Sequence, residues 1–175
     1  MKITLIRHTR VAVDAGICYG FTDVDVAASF PQEAEAVSEA IKNKTFDSVF
    51  SSPLQRCRKL AAACGYTDPI VDNRLKELNC GDWEMKRWEE IDDAEIKPWY
   101  NDWVNTPTKN GESFLDQYNR VTAFLEEKKE EGHHHIAVFC HGGVIRCALI
   151  RAGLLKTEEA FNTEVDYGSR HIIEL

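Results

Sequence analysis

The sequence predicts an α/β protein, a three-layer sandwich whose largely parallel central sheet is flanked by helices. Two observations carry this. Short β-rich runs alternate with stretches of helical period, the pattern that gives parallel strands covered on both faces. The chain's 175 residues, 43% hydrophobic and 29% charged, also suit one compact core.

Taken in order, Lys2–Ile6 is a β-rich run. A long loop follows, and Pro31 leads into a helix over Gln32–Lys44, with Ala34, Val37 and Ile41 on one stripe. Ser48–Ser51 reads as a second strand, and Pro53 opens a helix whose Leu54, Cys57, Ala61 and Cys64 recur at helical spacing before Gly65 ends it. From Ile70 to Pro107 the pattern is a short β run, then loops and short helices broken by Pro98. Phe114–Glu131 is an amphipathic surface helix, with Phe114, Tyr118, Val121 and Leu125 on its apolar face. His135–Cys140 is a strand, Gly142 and Gly143 make a turn, Val144–Ala152 is helical, and Ser169–Glu174 closes the sheet. The expected organisation is a single domain over residues 1–175, with an irregular cap-like region at about 72–112.

A formal charge of −8 argues against a broad nucleic-acid surface, so an anionic ligand requires a small local cationic clamp. No apolar run is long enough to span a bilayer, and no signal-peptide pattern opens the chain; the expectation is a cytoplasmic protein without a membrane partner. The six cysteines lack paired CxxC spacing and read as reduced, mainly buried thiols.

In open α/β sheets ligands bind beyond the carboxyl ends of the strands. Three such ends carry chemistry here: Arg7 and His8 after the first strand, Arg56 and Arg58 in SSPLQRCR after the second, and His141 before Gly142 and Gly143. Singly, each has a plainer reading as a solvated strand end, a snorkelling arginine or a hydrogen-bonded loop histidine. Jointly they suit a phosphate, because guanidinium forks match its oxygens and an imidazole can attack phosphorus.

The segments LIRHT, SSPLQRCRKLA, LKELNCGDWE and FCHGGVIR resemble, in order and spacing, the histidine phosphatase superfamily, also called phosphoglycerate-mutase-like, across nearly the whole chain. The resemblance implies that His8 is a nucleophile that becomes phosphorylated, that Arg7, Arg56, His141 and Gly142 hold the phosphoryl group, and that Glu77 is the proton donor. It implies a small phosphorylated metabolite as partner and neither metal nor cofactor. Thr9 stands where the family usually has glycine; with the CYG segment it resembles the alpha-ribazole phosphatase branch, although Met85 replaces a common glycine of that branch. Trp83, Trp88, Trp99 and Trp103 read mostly as packing for the irregular region; Thr9, Tyr19, Gly20 and Trp83 are the expected substrate contacts, the aromatics by stacking on a base-like group. Glu77 is expected to have a raised pKa from partial burial.

Other readings compete. Cys140 through Arg146 fits the CxxGxxR pattern of cysteine phosphatases, but leaves Arg7, His8 and Arg56 idle. A broad-specificity or sugar phosphatase, a phosphoglycerate mutase, and a non-enzymatic phosphoprotein-binding module are the remaining alternatives. The run His133-His134-His135 leads into a strand without complementary ligands and reads as a solvated strand entry.

Overall fold

The structure is a computed structural model that describes all of residues 1–175. Five strands, β1 (Lys2–Arg7), β2 (Ser48–Ser51), β3 (Ile70–Val71), β4 (His135–Cys140) and β5 (Arg170–Glu174), form one sheet in the order β3-β2-β4-β1-β5. The first four run parallel, and β5 is an antiparallel edge beside β1. No helix is long and apolar enough to cross a membrane.

The period-two alternation of the central strands sorts their side chains between two helical layers. Ile6, Ala137 and Phe139 point to one face, where they pack with Ala34, Val37 and Ile41 of α1 (Phe30–Ile41) and with Cys57, Leu60 and Ala61 of α2 (Gln55–Ala63). Ile3, Leu5, Ile136, Val138 and Cys140 point to the other. A third helix, α3 (Asp93–Asn101), lies in the irregular region. The second face meets Val121, Phe124 and Leu125 of α4 (Phe114–Glu130) and Val144, Ile145 and Ala148 of α5 (Gly142–Arg151). The two layers leave the carboxyl ends of β2, β4 and β1 side by side at one rim.

Three expectations need correction. Gly142 and Gly143 do not form a turn: they are the first residues of α5, so the helix begins directly at the rim. Pro98 does not break its segment, because α3 runs through it. The missing N–H costs a helical hydrogen bond, but the Asp92 carboxylate caps the Ala94 N–H at 2.7 Å and Ile96 and Trp99 are buried, so capping and packing outweigh the propensity. Trp83, expected in contact with substrate, is instead a core residue, 1% exposed. It packs with Cys18, Cys80, Ile91, Ile96 and Trp99 in a small cluster of its own, and its indole N–H donates to Glu95 at 3.2 Å.

Met85 has φ +65°, the left-handed region in which a side chain costs about 1–2 kcal/mol. That accounts physically for a glycine preference at this position. Its amide is committed to the Cys18 carbonyl at 2.7 Å, so the backbone cannot relax the strain locally. Met85→Gly is therefore expected to raise stability by about 0.5–1 kcal/mol, after the larger unfolded-state entropy of glycine is deducted. Urea titration of both proteins checks this, and a destabilised variant would refute the strain.

Candidate active site

Parallel pairing sets Arg7 opposite Cys140, so His8 and His141 leave the sheet as neighbours. Their rings meet edge to face with centroids 5.1 Å apart. From β2, on the far side of β4, Ser52 brings its hydroxyl to 2.8 Å from His141 Nε2. Arg56, the second residue of α2, is fully buried and donates to the carbonyls of Gly20 at 2.7 Å and Thr22 at 2.9 Å. Those carbonyls are fixed in turn: the Glu84 carboxylate accepts the N–H groups of Gly20, Phe21 and Thr22 at 2.8–3.1 Å.

Neither Arg7 nor Arg56 has a carboxylate partner within ion-pair distance. Arg7 donates to the Val165 carbonyl and lies 3.8 Å beneath the Tyr167 ring. The Nε atoms of both arginines, and the Thr9 hydroxyl, are buried without a hydrogen-bond partner. Buried donors are ordinarily satisfied, so two guanidinium groups without carboxylate partners, each with a buried open Nε donor, suit an anion.

His8 is 2% exposed. Its Nδ1 lies 2.7 Å from the Thr9 carbonyl, which can only accept, so the proton resides on Nδ1 and the lone pair on Nε2. Burial, reinforced by the positive charge of Arg56, pushes its pKa down to about 3, and the same two causes hold His141 well below the usual histidine range. Both rings are neutral at physiological pH, and His8 presents an unprotonated nitrogen.

Glu77 departs from expectation. It is deeply buried, which alone would raise its pKa, yet hydrogen bonds from Gln117 (2.9 Å), the Gly143 N–H (3.1 Å) and the Leu78 N–H (2.9 Å), with the charge of Arg7, hold it below the ordinary carboxylate value. The carboxylate sits at the N-terminus of α5, where the helix field also favours its charge. Gly143 makes this possible: a Cβ there would lie 2.2 Å from Glu77 Oε1.

The structure thus brings Arg7, His8, Arg56, His141, Gly142 and Glu77 to one rim. Thr9 and Gly20 stand behind them, the first through its carbonyl on His8 and the second through its carbonyl on Arg56; a Cβ on Gly20 would strike the Leu78 carbonyl. Tyr19 lines a cavity of about 490 Å³ that reaches Glu77, Gly143 and Arg146 and is walled by Trp88, Trp99, Trp103 and Phe161. Sequence reasoning missed Ser52, Glu84 and Gln117 as supports. Ser52 lies within SSPLQRCR and Glu84 within LKELNCGDWE, whereas nothing in the sequence marks Gln117. The cysteine mechanism fails on geometry: Cys140 is completely buried among the core residues facing α4 and α5, and burial pushes its thiol far up.

A neutral imidazole beside two unpaired guanidinium groups is the equipment of a phosphoric monoester hydrolase. The chain matches the histidine phosphatase superfamily (branch 1) over residues 3–175, and it belongs to that family. It is 29% identical to the adenosylcobalamin/alpha-ribazole phosphatase of Escherichia coli strain K12, over 100% of this chain and 90% of the relative. It is also 29% identical to phosphoserine phosphatase 1 of Hydrogenobacter thermophilus, over 89% and 79% respectively. The crystal structure of the alpha-ribazole phosphatase from Shigella flexneri superimposes with a TM-score of 0.90 at 26% identity, covering 100% of this chain and 91% of that one.

The buried histidines make stability depend on pH. Below its ordinary pKa of 6.5 the unfolded His8 ring takes a proton that the folded ring refuses until about pH 3, so stability is lost as pH falls through this window. The slope approaches about 1.4 kcal/mol per pH unit for each such ring. Urea unfolding at about pH 7 and about pH 5 is expected to show this loss, reduced in His8→Asn; an unchanged slope in that variant would mean that His8 is not buried neutral.

Proposed function

We infer that the chain hydrolyses alpha-ribazole 5'-phosphate through a phosphohistidine on His8. The aromatic cavity beside Glu77 carries this reading. A phosphoryl group held by Arg7, Arg56, His141 and the Gly142 end of α5 directs its ester oxygen toward Glu77, and the rest of the substrate into the cavity. Tryptophan and phenylalanine walls suit a planar aromatic ring better than the carboxylates of phosphoserine or phosphoglycerate. Much of that wall comes from residues 72–112, which act as the cap over the leaving group.

His8 Nε2 attacks phosphorus in line; the P–N bond forms as the P–O ester bond breaks, and the arginines neutralise charge on the equatorial oxygens. Glu77 protonates the departing alkoxide, then takes a proton from the water that cleaves the P–N bond. Because free Glu77 is ionised, its proton must arrive with the substrate. A phosphomonoester monoanion carries one, with a second pKa near 6. Once the phosphate shares the charge of Arg7, one of the supports that kept the carboxylate ionised weakens and it becomes a better base.

Two outcomes are expected. The kcat/KM of the wild type falls about tenfold per pH unit above about pH 6, following the substrate's second ionisation. Glu77→Gln lowers kcat/KM, which reports the phosphoryl-transfer step, by about 100-fold or more on alpha-ribazole 5'-phosphate but far less on p-nitrophenyl phosphate, whose phenolate leaves without a proton. Steady-state kinetics on these two substrates, with phosphoserine and 3-phosphoglycerate alongside, check both. Equal losses on the two esters would remove Glu77 from the acid role, and preference for a carboxylated ester would overturn the substrate assignment.

A further inference from the structure

Tyr167 has no part in the bond-making steps, yet it touches both Arg7 and His8 and reaches across to the Arg56 side of the clamp. Its ring covers the Arg7 guanidinium at 3.8 Å and lies 5.6 Å from the His8 ring. Its hydroxyl meets that of Tyr19 at 2.8 Å, and the Tyr19 ring stands 5.5 Å from the Arg56 guanidinium. Each tyrosine therefore faces one arginine of the clamp, and a single hydrogen bond joins them across the site.

We propose that Tyr167 is the positioning residue for Arg7, and that its hydrogen bond to Tyr19 couples the placement of the two arginines. This rests on Arg7 being a phosphate ligand. A guanidinium with no carboxylate partner has little to fix its plane. For Arg7 the fixings are one carbonyl, that of Val165, the face of the Tyr167 ring, and the nearby backbone of Gly142. A Cβ at Gly142 would lie 3.6 Å from Arg7 Nε, so the guanidinium packs close against the bare α5 terminus. Ring and helix end together restrict the plane of the guanidinium, whose Nε is buried without a hydrogen-bond partner.

The backbone that carries Tyr167 is anchored to the same machinery. The Gly168 N–H donates to the His8 carbonyl at 3.1 Å, and the Val165 carbonyl accepts from Arg7. Gly168 has φ +70°, the left-handed conformation that lets the chain turn back onto His8 immediately after Tyr167. On the opposite side Gly20, next to Tyr19, is pinned by Glu84 and holds Arg56. Both phenols thus project from fixed backbone, and their meeting point reports on both cations at once. An aromatic face does what a carboxylate cannot: it orients the guanidinium without neutralising it, so the full positive charge stays available to the phosphate.

Turnover of p-nitrophenyl phosphate and inhibition by vanadate, measured for Tyr167→Leu, Tyr167→Phe, Tyr19→Phe and the double phenylalanine variant, test this. Removing the ring in Tyr167→Leu is expected to lower kcat and weaken vanadate inhibition by about 10- to 30-fold, while Tyr167→Phe, which keeps the ring, loses about threefold. Because the two hydroxyls make one hydrogen bond, the double phenylalanine variant is expected to match either single variant. Equal losses in the leucine and phenylalanine variants, or additive losses in the double variant, would overturn the proposal. The phenylalanine cycle decides alone should Tyr167→Leu not fold. A wild type that neither turns over the ester nor binds vanadate would instead refute the phosphatase reading on which this inference stands.

Discussion

The pairing of β1 with β4 is the constraint on which the site depends. Ile3, Leu5 and Ile6 on β1 and Ile136, Val138 and Phe139 on β4 are all essentially unexposed, and their alternation between the two helical layers fixes the register. A slip of one residue would transfer each strand's apolar set to the opposite layer. It would also move His8 away from His141. The core therefore specifies the site without containing it: the apolar residues fix where the strands end, and the polar residues come as the next positions in the chain.

Bringing those polar residues together creates an electrostatic problem with an uncommon solution. Arg56 is fully buried and Arg7 partly so, and pairing each with a carboxylate would discharge a site that suits an anion. The structure holds them with neutral groups instead. Arg56 is held by the carbonyls of Gly20 and Thr22, and Arg7 by the Val165 carbonyl and the Tyr167 ring. The carboxylates are displaced outward: Glu84 binds the backbone that holds Arg56, and Glu77 is tied to the helix terminus beside the clamp. One consequence is that Glu77 is ionised where its burial alone would make it neutral, held so chiefly by the hydrogen bonds of Gln117, Gly143 and Leu78 and to a lesser degree by the charge of Arg7.

The sequence made the rim legible because the rim is local. Arg7, His8, Arg56 and His141 each sit within a few residues of a strand end, and strand ends can be read from apolar runs. Helix α3 was not legible, since Pro98 argues against it and only the burial of Ile96 and Trp99 argues for it. The roles of Gly143 and Gly20 were misplaced or incomplete because they depend on distant partners, Glu77 and Leu78, that no local pattern reveals. Trp83 failed for the opposite reason: a tryptophan next to a functional motif reads as a ligand contact, but the irregular region needs a core of its own and takes Trp83 for it. The pKa direction of Glu77 turned on counting hydrogen-bond donors, which burial on its own does not supply.

The burial of His8 ties these elements together. An imidazole can attack only when unprotonated, and burial of His8 beside two guanidinium groups strongly disfavours its protonation. The same burial strengthens the attraction of Arg56 for an anion, since charges interact more strongly at low dielectric. Both gains come at the expense of stability, because the Arg56 cation and two neutral histidine rings are held where solvent would otherwise receive them. The well-packed apolar layers on either side of the sheet offset that cost. In this way the strand that begins with Ile3 and Leu5 in the core can end at Arg7 and His8 without loosening the fold, and the sequence IRH joins the most stabilising part of the chain to the part that is most costly to hold.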